Sequence, residues 1–292
     1  MKIFNSLDED FNPTIPGILS VGFFETLHIG HKKIIESLIS YSKSLNLKNY
    51  ILTFVSHPPK KSFSKIMFTP EDRIIFFRNS GIDNLILLNC TTDLFQMKAD
   101  DFINLIKTNL NITHIISSKD FKIGCDQKPA GDLVKTNDIS IINIDPVIIE
   151  DMPVSTTAIK EYLQKGDISK INKLLDKTYF INGIVRKGKQ LGRKIGFPTM
   201  NIYIDNMILP ANGVYITKTI INNDEFYSMT YVNDTIVETN LIGYNYFHYN
   251  FKIKIDFFEK IRDNTICENL DDLTALISKD LIKVKQYFNI TE

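Results

Sequence analysis

An α/β domain with a doubly wound parallel sheet, followed by a small antiparallel six-stranded β-barrel and a C-terminal helix, is the fold this sequence predicts. Three observations carry that expectation. The length of 292 residues suits two domains, each large enough to bury its own core. Short apolar runs alternate with longer periodic segments from Gly17 to about Pro146. From Tyr179 onward the period changes to two, and the turns fill with Gly, Asn and Asp.

In the first part the runs cover residues 17–24, 50–55, 84–88, 113–117 and 139–144, each short enough for a buried strand. Between the first two, Lys33, Ile34, Ile35, Leu38, Ile39 and Leu45 fall on one helical face. Pro70-Glu71-Asp72 opens another helix with a favoured first residue and an acidic first turn. Residues 101–110 give a third, with Phe102, Leu105 and Ile106 inward. Five strands and their crossovers make a Rossmann-like domain over residues 1–154. Residues 155–178 read as a helical bridge, with Thr156 or Thr157 as N-cap and Lys165-Gly166-Asp167 as a break between two helices. Over 179–292, strands are expected at 180–186, 199–204, 213–221, 225–232, 235–242 and 251–258. Six consecutive antiparallel strands favour a closed barrel, which removes exposed edges. A last helix over 270–288 turns Leu273, Leu276, Ile277, Leu281, Ile282 and Val284 toward it.

Composition excludes several classes. Lys plus Arg equals Asp plus Glu at 34 each, so the balance gives no reason to expect nucleic acid or an anionic membrane as partner. Cys90, Cys125 and Cys267 are scattered and form no C-x-x-C pair, which argues for reduced thiols against a zinc knuckle or disulfide framework. The first ten residues are acidic without an apolar core, and no apolar run approaches the ~18 residues of a spanning helix; a cytoplasmic location is expected. No protein partner is implied.

Two short motifs read as phosphate sites. Gly22-Phe23-Phe24-Glu25-Thr26-Leu27-His28-Ile29-Gly30-His31 follows a buried strand and opens a helix, where an open α/β sheet binds its ligand. Helix N-terminal amides attract phosphate, Gly30 admits close backbone approach, and His28 and His31 lie near each other at i and i+3. Imidazolium donors there would stabilise charge on a reacting triphosphate. Downstream, Lys187-Gly188-Lys189-Gln190-Leu191-Gly192-Arg193-Lys194-Ile195-Gly196 mixes glycines with cations and runs into Phe197-Pro198-Thr199-Met200-Asn201. Pro198 fixes its own φ and holds Phe197 extended, so Thr199 and Asn201, two apart on a strand, converge on one ligand such as a metal-bound nucleoside triphosphate. It is not a Walker A loop.

These motifs resemble the H-x-G-H nucleotidyltransferases and, more closely, the bacterial bifunctional riboflavin kinase/FAD synthetase family, over nearly the whole chain. The resemblance extends to Leu52-Thr53-Phe54-Val55-Ser56-His57-Pro58, Asp120-Phe121-Lys122-Ile123-Gly124 and Val154-Ser155-Thr156-Thr157-Ala158-Ile159-Lys160, and to residues 183–201 almost position by position. It implies that the first domain transfers AMP from ATP to FMN, giving FAD and pyrophosphate. His28 and His31 would be catalytic, Gly22, Phe23, Gly30, Ser155 and Thr156 would bind nucleotide and phosphate, and Asp120 and Phe121 would meet the flavin. It implies that the barrel phosphorylates riboflavin with ATP and Mg²⁺. There Gly188, Gly192, Arg193 and Pro198 would line the nucleotide, Thr199 and Asn201 would hold metal and ATP, Glu238 would be the base, and Arg262 would lie near the substrates. Three departures stand out: Glu25-Thr26 replaces Asp-Gly, Lys160 replaces Arg, and residues 231–235 make a shorter hairpin in place of Gly-x-x-Pro-Thr. Two other readings stay open here: a kinase whose first domain is structural, and a non-catalytic flavin or nucleotide sensor.

Overall fold

The computed structural model describes residues 1–7, 11, 13–56, 65–188, 190–244 and 249–290, with backbone only at 134–137. The chain divides into one unit at Met1–Ser155 and a second at Thr156–Glu292. No helix among the described residues is long and apolar enough to cross a membrane.

In chain order the first unit holds β1 (Lys2–Phe4), β2 (Gly17–Val21), α1 (Ile29–Ser44), β3 (Lys48–Phe54), α2 (Pro70–Asn79) and β4 (Asn84–Leu88). It continues with α3 (Thr92–Gln96), α4 (Ala99–Leu110), β5 (Ile112–Ser118), the short pair β6 (Lys122–Ile123) and β7 (Lys128–Pro129), α5 (Ala130–Asn137) and β8 (Ser140–Ile144). A second short pair, β9 (Ile148–Ile149) and β10 (Met152–Pro153), closes it. Six strands form one sheet in the order β1-β4-β3-β2-β5-β8, parallel throughout. The five strands expected from the apolar runs are all in it. The sixth, β1, pairs Ile3 with Leu85 at the edge; three residues are too few to show a period. Leu19, Leu52, Ile86 and Ile115 from the strands meet Phe102, Ile106 and Leu110 of α4 in the core. Thr69 caps α2 in a reciprocal box with Asp72, just ahead of Pro70. Leu45 points outward, 46% exposed, because α1 ends at Ser44 before its stripe reaches that residue.

The second unit opens with α6 (Thr156–Lys165) and α7 (Ile168–Leu175). Thr156 and Thr157 lie inside the first turn of α6 rather than capping it, whereas Asp167 caps α7 through Lys170 N. Ile168, Ile171, Leu174 and Leu175 bury one face of α7, and Asn172 ties it to the sheet by donating to Phe257 O and accepting from Tyr179 N. There follow β11 (Tyr179–Ile184), α8 (Leu191–Lys194), β12 (Met200–Tyr203), β13 (Gly213–Ile221), β14 (Asp224–Asn233), β15 (Ile236–Leu241), β16 (Lys252–Arg262) and α9 (Leu270–Tyr287). The sheet order is β11-β16-β13-β14-β15-β12, antiparallel throughout. It curls into a half-barrel whose end strands meet at one bridge, Arg186 with Asn201. Inside, Tyr179, Tyr215 and Phe257 pack together, and Thr217, Thr219, Ser228, Thr230 and Thr239, all fully buried, satisfy one another's hydroxyls. Outside, Val284 and Ile277 of α9 cover Val214, Ile216 and Met229. Ile282 faces solvent, and the buried position on that turn is Asp280.

Candidate active sites

The sheet of the first unit reverses its order between β2 and β5, and the crevice beyond the carboxyl ends of such strands is where open α/β sheets bind ligands. Residues 22–28 cross that edge from β2 to α1. Phe24 and Leu27 both take φ of 49°, a left-handed conformation that costs a non-glycine residue and is held here by their complete burial. Thr26, standing where the resemblance expects glycine, is buried and is not among the positive-φ residues. The turn places its left-handed residues on either side of it, so its Cβ costs no backbone strain.

His28 is the N-cap of α1: its Nδ1 accepts the backbone N–H of His31 at 3.1 Å, which leaves Nε2 as the protonated nitrogen of a neutral ring. The two imidazoles stack with centroids 3.8 Å apart and 9° between planes. A Cβ on Gly30 would stand 3.0 Å from the His28 ring, so the glycine makes room for the stack. Burial pulls His28 down from 6.5 to about 4 and His31 well below its ordinary value. Burial thus favours the neutral form of both rings in the absence of a ligand, against the expectation of imidazolium donors.

Beside them, Phe23, Phe54 and Phe95 cluster with centroids 4.8–6.5 Å apart, and with Met97, Phe102 and Phe121 they line an apolar cavity of about 280 Å³. Arg73 of α2 braces this wall. Buried at 4% exposure, it donates to the carbonyls of Phe23 at 2.7 Å and Phe54 at 2.7 Å and to the Thr53 hydroxyl at 3.0 Å. Burial lowers the guanidinium's pKa, and Glu25 is the leading charge opposing that shift. Sequence reasoning missed Arg73, since a lone cation on a helix reads as solvated. Gly22 and Phe121 line the cavity, while Asp120 sits exposed on the preceding turn. Ser155 ends the first unit, and Thr156 and Lys160 belong to α6 of the second. His57 and Pro58 lie outside the described residues.

In the second unit β12 and β15 pair so that Asn201 stands opposite Glu238 and Met200 opposite Thr239. Residues directly opposite share a face. Glu238 is half-buried, and its Oε2 accepts from the Thr199 hydroxyl at 3.3 Å. Asn201 is 6% exposed; its Nδ2 reaches the Thr199 carbonyl at 3.5 Å, and its side chain fills the space a Cβ on Gly188 would take, 2.5 Å away. The loop between crosses α8, where the Gly192 carbonyl accepts from Phe197 N at 2.8 Å and Arg193 is exposed; Lys189 lies outside the described residues. Asn240, absent from the sequence expectations, donates from Nδ2 to the Pro198 carbonyl at 2.7 Å. Its only sequence signal is its place two residues after Glu238.

One cross-strand row runs Arg262, Val214, Tyr231, Glu238, Asn201 over β16, β13, β14, β15 and β12. Tyr231 has its pKa raised by burial first and then by Glu238, against a lowering by Arg262. Arg262 itself is taken up elsewhere: its Nε and Nη2 both reach Asp280 Oδ2 of α9, at 2.8 and 2.7 Å, and Nη1 donates to Asp263 O. The short hairpin after Tyr231 is tied down by Asn212, which exchanges two hydrogen bonds with Asp234.

Thr199 and Asn201 each offer a neutral side-chain oxygen, the kind of ligand a hard cation such as Mg²⁺ accepts when most of its shell is water and phosphate, while the Glu238 carboxylate stands beside them. Among the described residues no group of three or more His, Cys, Asp or Glu is placed to hold a metal by itself.

The FAD synthetase family model matches residues 12–158 and the riboflavin kinase model residues 175–288. The bifunctional riboflavin kinase/FMN adenylyltransferase of Bacillus subtilis is 28% identical, over 93% of this chain and 92% of that protein. The protein of the same name from Haemophilus influenzae is also 28% identical, over 93% and 94%. A crystal structure described as a macrolide-efflux protein from Streptococcus pneumoniae superposes with a TM-score of 0.89 at 23% identity, over 97% and 98% of the two chains. At that identity the likeness is one of fold.

Proposed function

We infer that this chain, which belongs to the FAD synthetase family and carries a riboflavin kinase module behind that domain, makes both flavin cofactors. The second unit phosphorylates riboflavin with ATP to FMN, and the first transfers AMP from ATP to FMN, giving FAD and pyrophosphate. The observation that carries the kinase half is Glu238 held opposite Asn201 and against the Thr199 hydroxyl.

In the kinase reaction Glu238 accepts the proton of the ribityl hydroxyl as that oxygen attacks the γ-phosphorus, the bond from the γ-phosphorus to the β,γ-bridging oxygen breaks, and ADP leaves. Thr199 and Asn201 would hold Mg²⁺ with the nucleotide, and Gly188, Gly192, Arg193 and Pro198 would line the phosphates. Bound Mg²⁺ neutralises phosphate charge and orients the transferred group. Arg262 acts through the Asp280 pair, fixing the end of the row that contains Tyr231 and Glu238.

In adenylyl transfer the FMN phosphate attacks the α-phosphorus of ATP. The apolar cavity takes the isoalloxazine against Phe23, Phe54 and Phe121, with Asp120 at the exposed turn beside it. His28 and His31 donate N–H bonds to the α-phosphate and the departing pyrophosphate, and phosphate in turn raises the affinity of these rings for protons. Gly22, Gly30 and Ser155 complete the nucleotide contacts within the first unit. The scattered free thiols suit a cytoplasmic setting.

Incubating the purified protein with riboflavin, Mg²⁺ and ATP and resolving the flavins by chromatography tests this reading. FAD is expected. FMN alone would confine activity to the second unit, and unchanged riboflavin would leave a binding protein.

A further inference from the structure

We propose that Asn240 is a positioning residue of the kinase site, acting through the Pro198–Thr199 peptide; this rests on the reading of Thr199 and Glu238 given above. Asn240 and Glu238 are two apart on β15 and share a face, and Asn240 is 7% exposed. Its amide spends a donor on the Pro198 carbonyl at 2.7 Å, the shortest side-chain bond made to the kink. A peptide is planar, so fixing that oxygen fixes the direction in which the chain leaves for Thr199. Thr199 is β-branched and stiff at χ1, so its backbone orientation sets where its hydroxyl points. On the other side of Thr199, its own carbonyl is met by Asn201 at 3.5 Å. Two amides therefore grip the carbonyls before and after the hydroxyl that faces Glu238.

No regular ladder bond does this work. The β12–β15 register begins at Met200 with Thr239, so the peptide ahead of it depends on a side chain. An apolar residue at 240 would leave the part-buried Pro198 carbonyl without this partner and free the kink to rotate. The carboxylate of Asp, the same shape but unable to donate when ionised, would repel it.

The test uses the full chain with Asn240→Leu and Asn240→Asp. Riboflavin phosphorylation is expected to lose about 100-fold in kcat, the scale of a misplaced reacting group, with little change in the KM for riboflavin. Conversion of supplied FMN to FAD stays at the wild-type rate. Relative to wild type, the Asp variant regains activity as pH falls from about 7.5 to about 5, because a protonated carboxyl donates where a carboxylate cannot. Wild-type phosphorylation by both variants, or loss in the Asp variant that does not ease with falling pH, overturns the proposal. Should Leu prevent folding, the Asp variant and its pH response decide. Glu238→Gln run alongside separates the two levels: if it still makes FMN, the base assignment fails before Asn240 is in question.

Discussion

The two sites are built from opposite materials. In the first unit the candidate groups are dry: stacked neutral imidazoles, an aromatic cavity, and a guanidinium spent on backbone carbonyls. In the second they are oxygens on the outer face of a curled sheet: half-buried Glu238, buried Asn201 opposite it in register, and the Thr199 hydroxyl just ahead of the strand. Adenylyl transfer starts from a nucleophile that is already an anion, so it calls for charge stabilisation without a base. Phosphorylation of an alcohol calls for a proton acceptor. The contrast in chemistry explains the contrast in material.

The largest expected effect breaks the comparison at its base. Glu238→Gln should lower FMN formation about 1,000-fold while FMN added from outside still becomes FAD, read by chromatography. FMN formation within tenfold of wild type would remove Glu238 from the chemistry. The mirror experiment is His31→Ala, expected to lower FAD formation about 100-fold and spare FMN. A smaller effect concerns acid. The folded His28 titrates at about 4 against 6.5 unfolded, so the unfolded chain binds the extra proton between those values, and stability present above pH 6.5 is lost as pH falls toward 4. Between pH 7 and 5 this amounts to about 2 kcal/mol from His28 alone, with His31 adding in the same direction. Calorimetry should show the first unit's transition falling with pH more than the second's, because the first holds four of the five histidines, the stacked pair among them, and the second holds His248 alone. Equal shifts in both would contradict the dry-site picture. Smallest of all is Thr26→Gly. Because Thr26 sits at an ordinary φ, glycine should bring no gain in FAD formation and about 1 kcal/mol loss of stability by thermal melting.

Much of the fold was legible because periodicity reports burial directly. The continuous run 84–88 and the alternation from Tyr179 needed no tertiary information. What escaped was short or stabilised from a distance: β1 exists because β4 offers an edge, and the β6–β7 turn is pinned by Asp126 to Ala99 N. The site was legible in its motifs and illegible in its supports. H-x-G-H announces two histidines, yet only the fold shows their rings stacked and buried. Arg73 and Asn240 carry no local pattern, since each meets a carbonyl 42 or more positions away or across a different element. The replacement of Asp-Gly by Glu25-Thr26 reads as strain in a string of letters, and the backbone resolves it by giving the left-handed turns to Phe24 and Leu27.

Among the described residues one bridge joins the end strands of the half-barrel, where Arg186 N donates to Asn201 O at 2.8 Å. The same residue offers its amide to the proposed nucleotide. On the proposed reading, filling that pocket and fastening the rim would be one event, and linkage would make saturating Mg²⁺-ATP tighten the very thread on which its own seat depends.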